Sequence, residues 1–319
     1  MGQAHAKQIE IIENLQIVIV VEPNPSNFAL AKTIFSATTP ILFSDLDSAL
    51  KSERVDGWII SSPTRTHLEV ANRLLSDGYK VLLEKPIAIT RAEAEELRKF
   101  VLADSSNLML GHILLWNPEF QAFQREVSRR GKIKTIHCSR QRSASHRIDY
   151  SGESLFSLLM VHDLYCVQSL MNGSEPLSLI GQTESHPAGG DHFAAAQLGW
   201  ADSTLALLEA NYFLPDTSNG LLVDEISVSG DSWHLKMIYG TGYITVLEDS
   251  RLQRIDTGLE VLENAQPNYD EALRNELIHF GEILASTNTV PFGAQYESAC
   301  QVAGWTDALI ASANNRKGL

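Results

Sequence analysis

Short apolar runs alternate with amphipathic stretches through the first hundred residues. The apolar runs are strand-sized and rich in β-branched residues, and the stretches between them repeat apolar residues at the spacing of a helix. This alternation is typical of strand–helix–strand units, so it predicts an α/β fold with a Rossmann-type, doubly wound parallel sheet. The predicted strands are residues 17–21, 41–43, 55–60, 81–83 and 108–112, and the predicted helices are residues 8–14, 26–35, 45–52, 66–78 and 91–103.

Polar residues at the ends of these segments support their boundaries. Ser26 and Thr90 stand where a helix N-cap is expected, and Glu93 follows Thr90 at the spacing of a capping box. Gly78 stands where a helix would stop, since glycine adopts the left-handed conformation that ends many helices.

The pattern changes after Asn117-Pro118. Strands then outnumber helices, which favours an open, mainly antiparallel sheet in a second α/β domain. We therefore predict two domains, residues 1–110 and residues 111–319. The second domain is predicted to hold strands within residues 133–140 and 178–248 and helices at residues 119–130, 155–170, 270–285 and 296–313.

Composition narrows the class of protein. A chain of 319 residues suits two domains, and a net charge of −14 disfavours a nucleic acid or an anionic membrane as partner. No apolar run approaches the roughly 18 residues of a spanning helix, and the N-terminus lacks the apolar core of a signal peptide. Cys138, Cys166 and Cys300 form no paired motif, and the histidines show no metal-ligand spacing. We expect a cytoplasmic protein with reduced thiols and no metal.

Glu84-Lys85-Pro86 directly follows the apolar run that ends at Leu83. Open α/β sheets bind ligands at the carboxyl ends of their strands, so Lys85 is a candidate acid/base group or orienting cation for a substrate hydroxyl. The alternative is an ordinary lysine that begins a surface loop.

Two further strand ends carry candidate cofactor contacts. Glu22 follows the first predicted strand, where a carboxylate can accept both ribose hydroxyls of an adenosine and repel a 2′-phosphate. Taken alone, Glu22 is better explained as a solvated turn acid, whereas in combination with the strand-end features described next the ribose contact is favoured. The segment from Ser61 to His67 follows the third predicted strand and can lie along a nicotinamide ribose, or it is a plain turn with Thr66 as N-cap.

The second half offers a histidine in an unusually apolar helix. His162 can take a hydroxyl proton as a neutral imidazole, or it is a satisfied core histidine. Arg140, Arg142 and Arg147 form a basic stretch that is either a polar substrate loop or a solvated strand end, and the sequence does not decide between the two.

Seven features in order resemble one known family, the glucose–fructose oxidoreductase/inositol dehydrogenase/MocA (Gfo/Idh/MocA) oxidoreductases. The resemblance covers nearly the whole chain. The features are Gly2 opening a helix, Glu22 before Pro-Asn-Pro, Pro63 with His67, Glu84-Lys85-Pro86, Trp116-Asn117-Pro118, Gly131-Lys132-Ile133 and His162-Asp163-Leu164.

The resemblance implies an N-terminal NAD(P)-binding Rossmann domain, a C-terminal substrate and oligomerisation domain, and a homodimer or homotetramer. It implies NAD, with NADP disfavoured at Glu22, and a sugar, cyclitol or related polyol as substrate. Lys85 and His162 match the family's catalytic residues. The implied cofactor contacts are Gly2, Glu22, Ser61, Pro63, His67, Glu84 and Lys85, and the candidate substrate contacts are Asn117, Arg142 and Asp163.

The chain departs from the family pattern at two places. The first strand and the first two glycines of the family's Gly-x-Gly-x-x-Gly motif are missing before Gly2, so we expect the true reading frame to start upstream. Leu158 stands where family dehydrogenases usually carry an aspartate, four residues before the histidine. Asp149, Glu153 or Asp163 can substitute for it. Two alternatives therefore stand beside the oxidoreductase: a catalytically silent dinucleotide- or sugar-binding protein, and a truncated chain that binds no nucleotide.

Overall fold

The structure is a computed structural model that describes residues 1–35, 39–149, 152–187, 189–216, 223–258 and 269–316. It divides the chain into two compact units. The first unit comprises Met1–Trp116 and Tyr269–Tyr296, and the second comprises Asn117–Asn268 and Glu297–Leu319. No described helix is both long and apolar enough to cross a membrane.

The first unit is built from short strands and helices in alternation. Its parallel strands are β1 Ile19–Val21, β2 Ile41–Phe43, β3 Gly57–Ile60, β4 Lys80–Glu84 and β5 Leu108–Gly111. Its helices are α1 Gly2–Ile9, α2 Phe28–Ile34, α3 Leu46–Leu50, α4 His67–Ser76, α5 Arg91–Glu95 and, from later in the chain, α9 Tyr269–Leu284.

The parallel strands form two separate sheets. β1 pairs with β2 in one, and β3, β4 and β5 form the other in that order. The central strand β4 is buried from Val81 to Glu84, whereas β1 and most of β3 are half-buried. The Rossmann-type parallel arrangement is confirmed. Within residues 1–35 no strand precedes β1, and among the described residues no strand pairs with both sheets.

The single boundary expected after residue 110 differs from the division that the structure shows. Residues 111–116 and helix α9 belong to the first unit. Gly57 explains the placement of α9, because a Cβ there would lie 2.5 Å from Leu284 Cδ2 and 3.3 Å from Phe280 Cζ. In addition, Lys80 Nζ donates to the carbonyl oxygen of Ile283 over 2.6 Å. Because the contacting residues are far apart in the sequence, the local sequence pattern could not predict these contacts.

The second unit is one sheet of eight strands with helices beside it. The strand order is β13-β12-β11-β10-β6-β9-β8-β7, and every neighbouring pair is antiparallel except β6 with β9. The strands are β6 Ile133–Ser143, β7 Ser178–Ser185, β8 Asp191–Gly199, β9 Leu205–Leu214, β10 Val223–Gly230, β11 Trp233–Ile238, β12 Tyr243–Glu248 and β13 Arg251–Asp256. The mainly antiparallel sheet is confirmed.

The described residues of the second unit also form four α-helices: α6 Pro118–Ser128, α7 Ala144–Asp149, α8 Val161–Leu170 and α10 Tyr296–Arg316, whose first residue lies in the first unit. Helix α10 lies directly on β7, since a Cβ at Gly181 would meet the carbonyl oxygen of Leu309 at 2.2 Å. The alternating buried positions of the central strands face a core of aliphatic and aromatic residues.

Several predicted boundaries were wrong. The first helix spans Gly2–Ile9 instead of residues 8–14, and Asn24, not Ser26, caps the turn before α2 by accepting from the Ser26 N–H. Helix α5 ends at Glu95, after which hydrogen bonds to the third preceding carbonyl continue the turns toward residue 101. The apolar helix expected from residue 155 opens as a π-helical turn, Phe156–Met160, before α8.

Candidate active site

The end of strand β4 carries the Glu84-Lys85-Pro86 motif. Strand β4 lies between β3 and β5, so its carboxyl end stands at the middle of the three-stranded sheet. Glu84 is buried, and Lys85 is half-buried. The Lys85-Pro86 peptide is cis. The sequence prediction that a lysine stands at a strand end in this sheet agrees with these positions.

Glu84 is held by a histidine that the sequence analysis did not select. His5, on α1, and Glu84 make a buried hydrogen bond of 2.7 Å between Nε2 and Oε1. Glu84 Oε2 also accepts from the Lys85 backbone N–H over 3.3 Å. Burial raises the pKa of Glu84, but the His5 hydrogen bond and the charges of His5 and Lys85 outweigh it, so the pKa lies below its ordinary value. Glu84 is therefore an ionised anchor for the backbone of Lys85.

A second carboxyl group approaches this pair. Glu276, on α9, is fully buried, and neither of its oxygens has a hydrogen-bond partner among the described residues. Burial and the charge of Glu84 raise the pKa of Glu276 well above its ordinary value, so this carboxyl is neutral beside an ionised one.

His5, Glu84 and Glu276 also bring three metal-ligand types together, with ligand atoms within 4.8 Å of one another. Two ligands of one tetrahedral zinc would lie about 3.3 Å apart, given bonds of roughly 2.0–2.1 Å. The 2.7 Å between His5 and Glu84 is instead the separation of a hydrogen bond. The geometry favours a hydrogen-bonded pair beside a neutral acid.

His67 connects the two loops that follow β3 and β4. Its Nδ1 lies 2.8 Å from the Pro86 carbonyl oxygen and its Nε2 lies 2.9 Å from the Ser62 carbonyl oxygen, and the residue is only 1% exposed. Its ring therefore fixes the segment after Lys85 against the Ser61–His67 loop. The structure thus gives His67 a bracing role, and its predicted contact with a cofactor stays a prediction.

The remaining predicted cofactor residues lie at the ends of β1 and β3 and at the start of α1. A Cβ at Gly2 would lie 2.9 Å from Ser61 Oγ, so the structure brings Gly2 and Ser61 together. Pro63 is exposed. Glu22 Oε1 accepts from the Asn24 N–H over 2.8 Å, as a turn acid does. Ribose binding at Glu22 stays a prediction.

His162 is the one residue of helix α8 that is not buried. Its Nδ1 lies 2.7 Å from the hydroxyl oxygen of Tyr165, which is itself fully buried. The ring is only partly buried, unlike the rest of the helix, and its role in proton transfer stays a prediction. Tyr165 was not among the predicted site residues, although its spacing of three residues from His162 on a helix could have revealed the pair.

A buried ion-pair network includes Asp163, the residue that follows His162. Arg140, 1% exposed, donates from Nε and Nη2 to the two carboxylate oxygens of Asp163 over 3.0 and 2.9 Å, and from Nη1 to Asp224 over 2.6 Å. Arg142 also donates to Asp224, over 2.6 and 2.9 Å. Burial raises the pKa of the Asp163 carboxyl, and the Arg140 guanidinium opposes that rise.

The three predicted substrate contacts all have structural partners. Asp163 and Arg142 belong to the ion-pair network, and Asn117 Oδ1 caps α6 by accepting from the Phe120 N–H over 2.9 Å. The basic stretch is therefore largely an internal network and not a solvated strand end. Whether any of the three also binds substrate stays a prediction.

The N-terminal part of the chain is similar in sequence to a known family of oxidoreductases. Residues 1–112 match the sequence model GFO_IDH_MocA, described as "Oxidoreductase family, NAD-binding Rossmann fold". Inositol 2-dehydrogenase of Rhizobium meliloti (strain 1021) is 25% identical over 183 residues, which cover 56% of this chain and 54% of that protein. An uncharacterised oxidoreductase of Streptococcus pneumoniae serotype 4 is 27% identical over 205 residues, covering 60% and 53%. The chain spans about half the length of these curated relatives.

Solved structures extend the likeness in fold to the whole chain. An oxidoreductase from Agrobacterium radiobacter, solved in complex with NAD+, L-tartaric acid and magnesium, has a TM-score of 0.85 at 14% identity and covers 99% of this chain and 94% of that one. A myo-inositol 2-dehydrogenase from Lactobacillus plantarum has a TM-score of 0.81 at 18% identity, with coverage of 99% and 94%. The N-terminal third of the chain therefore matches the Gfo/Idh/MocA oxidoreductases in sequence, and the chain is similar in fold to these two solved structures over 99% of its length.

Proposed function

We propose that this chain is an NAD-dependent oxidoreductase that moves hydride between nicotinamide and a carbon of a sugar, cyclitol or related polyol. The observation that carries the proposal is His162, whose half-exposed ring stands alone on an otherwise buried helix with Nδ1 already hydrogen-bonded. An imidazole that is held at Nδ1 and only partly buried is suited to accept a substrate proton. The inositol dehydrogenases among the relatives support the choice of substrate class.

The residues of the first unit are suited to a dinucleotide. Glu22 is half-buried and directly follows β1, and Gly2 lets the start of α1 approach the loop after β3 closely. Glu22 would hold the adenosine ribose and disfavour a 2′-phosphate, and Gly2, Ser61 and Pro63 would line the rest of the cofactor. When bound, NAD supplies the hydride acceptor.

The chain's own groups would manage the substrate hydroxyl. The Lys85 ammonium, on a backbone fixed by Glu84 and the His67 brace, would donate a hydrogen bond to the hydroxyl oxygen and stabilise the charge that develops there. His162 Nε2 would take the hydroxyl proton as hydride leaves the carbon. In sum, an alcohol and NAD give a carbonyl compound, NADH and a proton.

Turnover on a panel of polyols and sugars tests the proposal. NADH absorbance should appear with NAD and at least one polyol, and Lys85→Ala and His162→Ala should each reduce kcat by about 10²–10⁴-fold. The matched controls are Lys51→Ala and His137→Ala, which change exposed residues of the same types. Full activity in Lys85→Ala or His162→Ala would refute that residue's role.

Calorimetric titration separates the alternatives. NAD binding without turnover on any substrate would instead support a catalytically silent dinucleotide-binding protein. Leu158 favours this alternative, because its side chain cannot form the hydrogen bond that an aspartate would make. Sugar binding in the same titration would indicate a sugar-binding protein. No binding of NAD or NADP would refute the dinucleotide site itself. A Glu22→Ser variant that gains affinity for NADP would support the role of Glu22 at the ribose.

A further inference from the structure

We propose that Tyr165 is the positioning residue of His162, holding the imidazole in the tautomer that a proton acceptor needs. The inference rests on the proposed function of His162. It is carried by the 2.7 Å contact between His162 Nδ1 and the Tyr165 hydroxyl and by the complete burial of Tyr165.

The two side chains are neighbours on one face of α8. Residues three apart on a helix face the same way, and here the ring centroids lie 5.7 Å apart at an interplanar angle of 71°. A buried phenol does not rotate freely, so its hydroxyl presents a fixed partner to the imidazole. Leu158, on the preceding turn, offers no side-chain polar atom for this purpose.

The phenol can serve the imidazole in both of its protonation states. A hydroxyl both donates and accepts, so it can accept from Nδ1–H while Nε2 keeps a lone pair for a substrate proton. Once Nε2 has taken that proton, the same Nδ1–H still donates to the phenol oxygen. Tyr165 therefore stabilises the working tautomer before transfer and the imidazolium after it.

The position of α8 itself is fixed by the adjacent residue. Asp163 receives two hydrogen bonds from Arg140, and Arg140 is tied to Asp224 on β10. This bidentate pairing sets the rotation of the helix, so that Asp163 faces the protein interior while His162 is half-exposed. Tyr165 then sets the orientation of the ring within that frame.

Nitrogen NMR of the unmodified protein is the first test. The ¹⁵N shifts of His162, assigned by comparison with His162→Ala, should show the proton of the neutral ring on Nδ1. A ring protonated mainly on Nε2, or a mixture like that of free imidazole, would overturn the proposal. This readout requires neither turnover nor a known substrate.

The kinetic test is Tyr165→Phe, which removes only the hydroxyl. With the substrate found above, kcat should fall about ten-fold or more with little change in KM. The acid limb of the kcat/KM profile should move to lower pH by about 0.5–1 unit, because the imidazolium loses an acceptor. The matched control is Tyr239→Phe, since Tyr239 is equally buried in the same unit and its hydroxyl lies 3.9 Å from Cys166 Sγ.

A double variant separates this inference from the proposed function. In a His162→Ala background, Tyr165→Phe should have no further effect on turnover. If His162→Ala alone leaves turnover intact, the proposed role of His162 fails. If His162→Ala abolishes turnover but Tyr165→Phe behaves like Tyr239→Phe, the positioning role of Tyr165 is refuted and the proposed function stands.

Discussion

Acidification should destabilise the first unit through a single histidine, His112, which follows β5. His112 is 2% exposed, and its Nδ1 lies 2.7 Å from the Gly293 carbonyl oxygen, to which it donates. Burial lowers the pKa of His112 to about 4, and the hydrogen bond to Gly293 only partly opposes that shift. The folded protein therefore keeps this ring neutral at pH values where the unfolded chain protonates it.

The sign and size of this change in the free energy of unfolding follow from the different numbers of protons that the folded and unfolded chains bind. Between about pH 4 and the ordinary histidine pKa of 6.5, the unfolded chain binds the extra proton, so the free energy of unfolding falls as the pH falls. A shift from 6.5 to about 4 corresponds to about 3 kcal/mol, since each pKa unit is worth about 1.4 kcal/mol. Above pH 6.5 this stability is fully present.

His112→Asn isolates the effect, because asparagine keeps a donor at the same position and does not titrate. The variant should be less stable than the wild type at pH 7.5, and the difference in the free energy of unfolding should narrow by about 2.5 kcal/mol by pH 4.5. Hydrogen exchange of the β4 and β5 amides measures the first unit alone, which matters because two units need not unfold together. A gap that stays constant with pH would refute the assignment of the burial effect to His112.

Two further changes probe buried charge. Glu276→Gln should gain stability relative to the wild type as the pH rises above about 4.5, by up to about 1.4 kcal/mol per pH unit. The reason is that the fold holds the Glu276 carboxyl protonated, whereas the unfolded chain ionises it. Hydrogen exchange at pH 5 and pH 8 measures the difference in stability between the two proteins, and a difference that does not change with pH would contradict the prediction. Asp224→Asn removes a countercharge of buried Arg140 and should cost about 3 kcal/mol in urea unfolding of the second unit. The exposed Asp231→Asn should cost under about 0.5 kcal/mol, and an equal cost for both would argue against the network.

The local pattern of apolar and polar residues predicted most of the helices and strands whose formation depends on neighbouring residues. The N-cap at Thr90 formed as expected, with the Glu93 N–H donating to the Thr90 hydroxyl. The Glu93 carboxylate accepts from the Ile89 N–H, one residue before the N–H that a capping box uses. The strand ending at Glu84 was found because a buried parallel strand has a near-continuous apolar signature. Helix α7 carries no such signature, since it is a short polar segment, and it was not predicted.

The candidate site could be predicted from the sequence only in part, because some of its residues come from distant segments of the chain. Glu84, Lys85 and His162 sit in motifs of neighbouring residues, so the sequence identified them. The partners His5 and Glu276 come from distant segments, and their importance lies in burial and unpaired polar atoms that no spacing reveals. Arg142 looked like a candidate for substrate because its buried countercharge, Asp224, lies far along the chain.

Helix α9 belongs to the first unit although it is synthesised late, and this has a consequence during protein synthesis. After Trp116 leaves the ribosome, roughly 150 more residues must be made before α9 begins, about 8–30 s at roughly 5–20 residues per second. During that interval Gly57 cannot pack against Phe280 and Leu284, and Lys80 cannot donate its hydrogen bond to the Ile283 carbonyl oxygen. The nascent first unit therefore presents an uncovered apolar face to chaperones and proteases, while the strands of the second unit are still emerging.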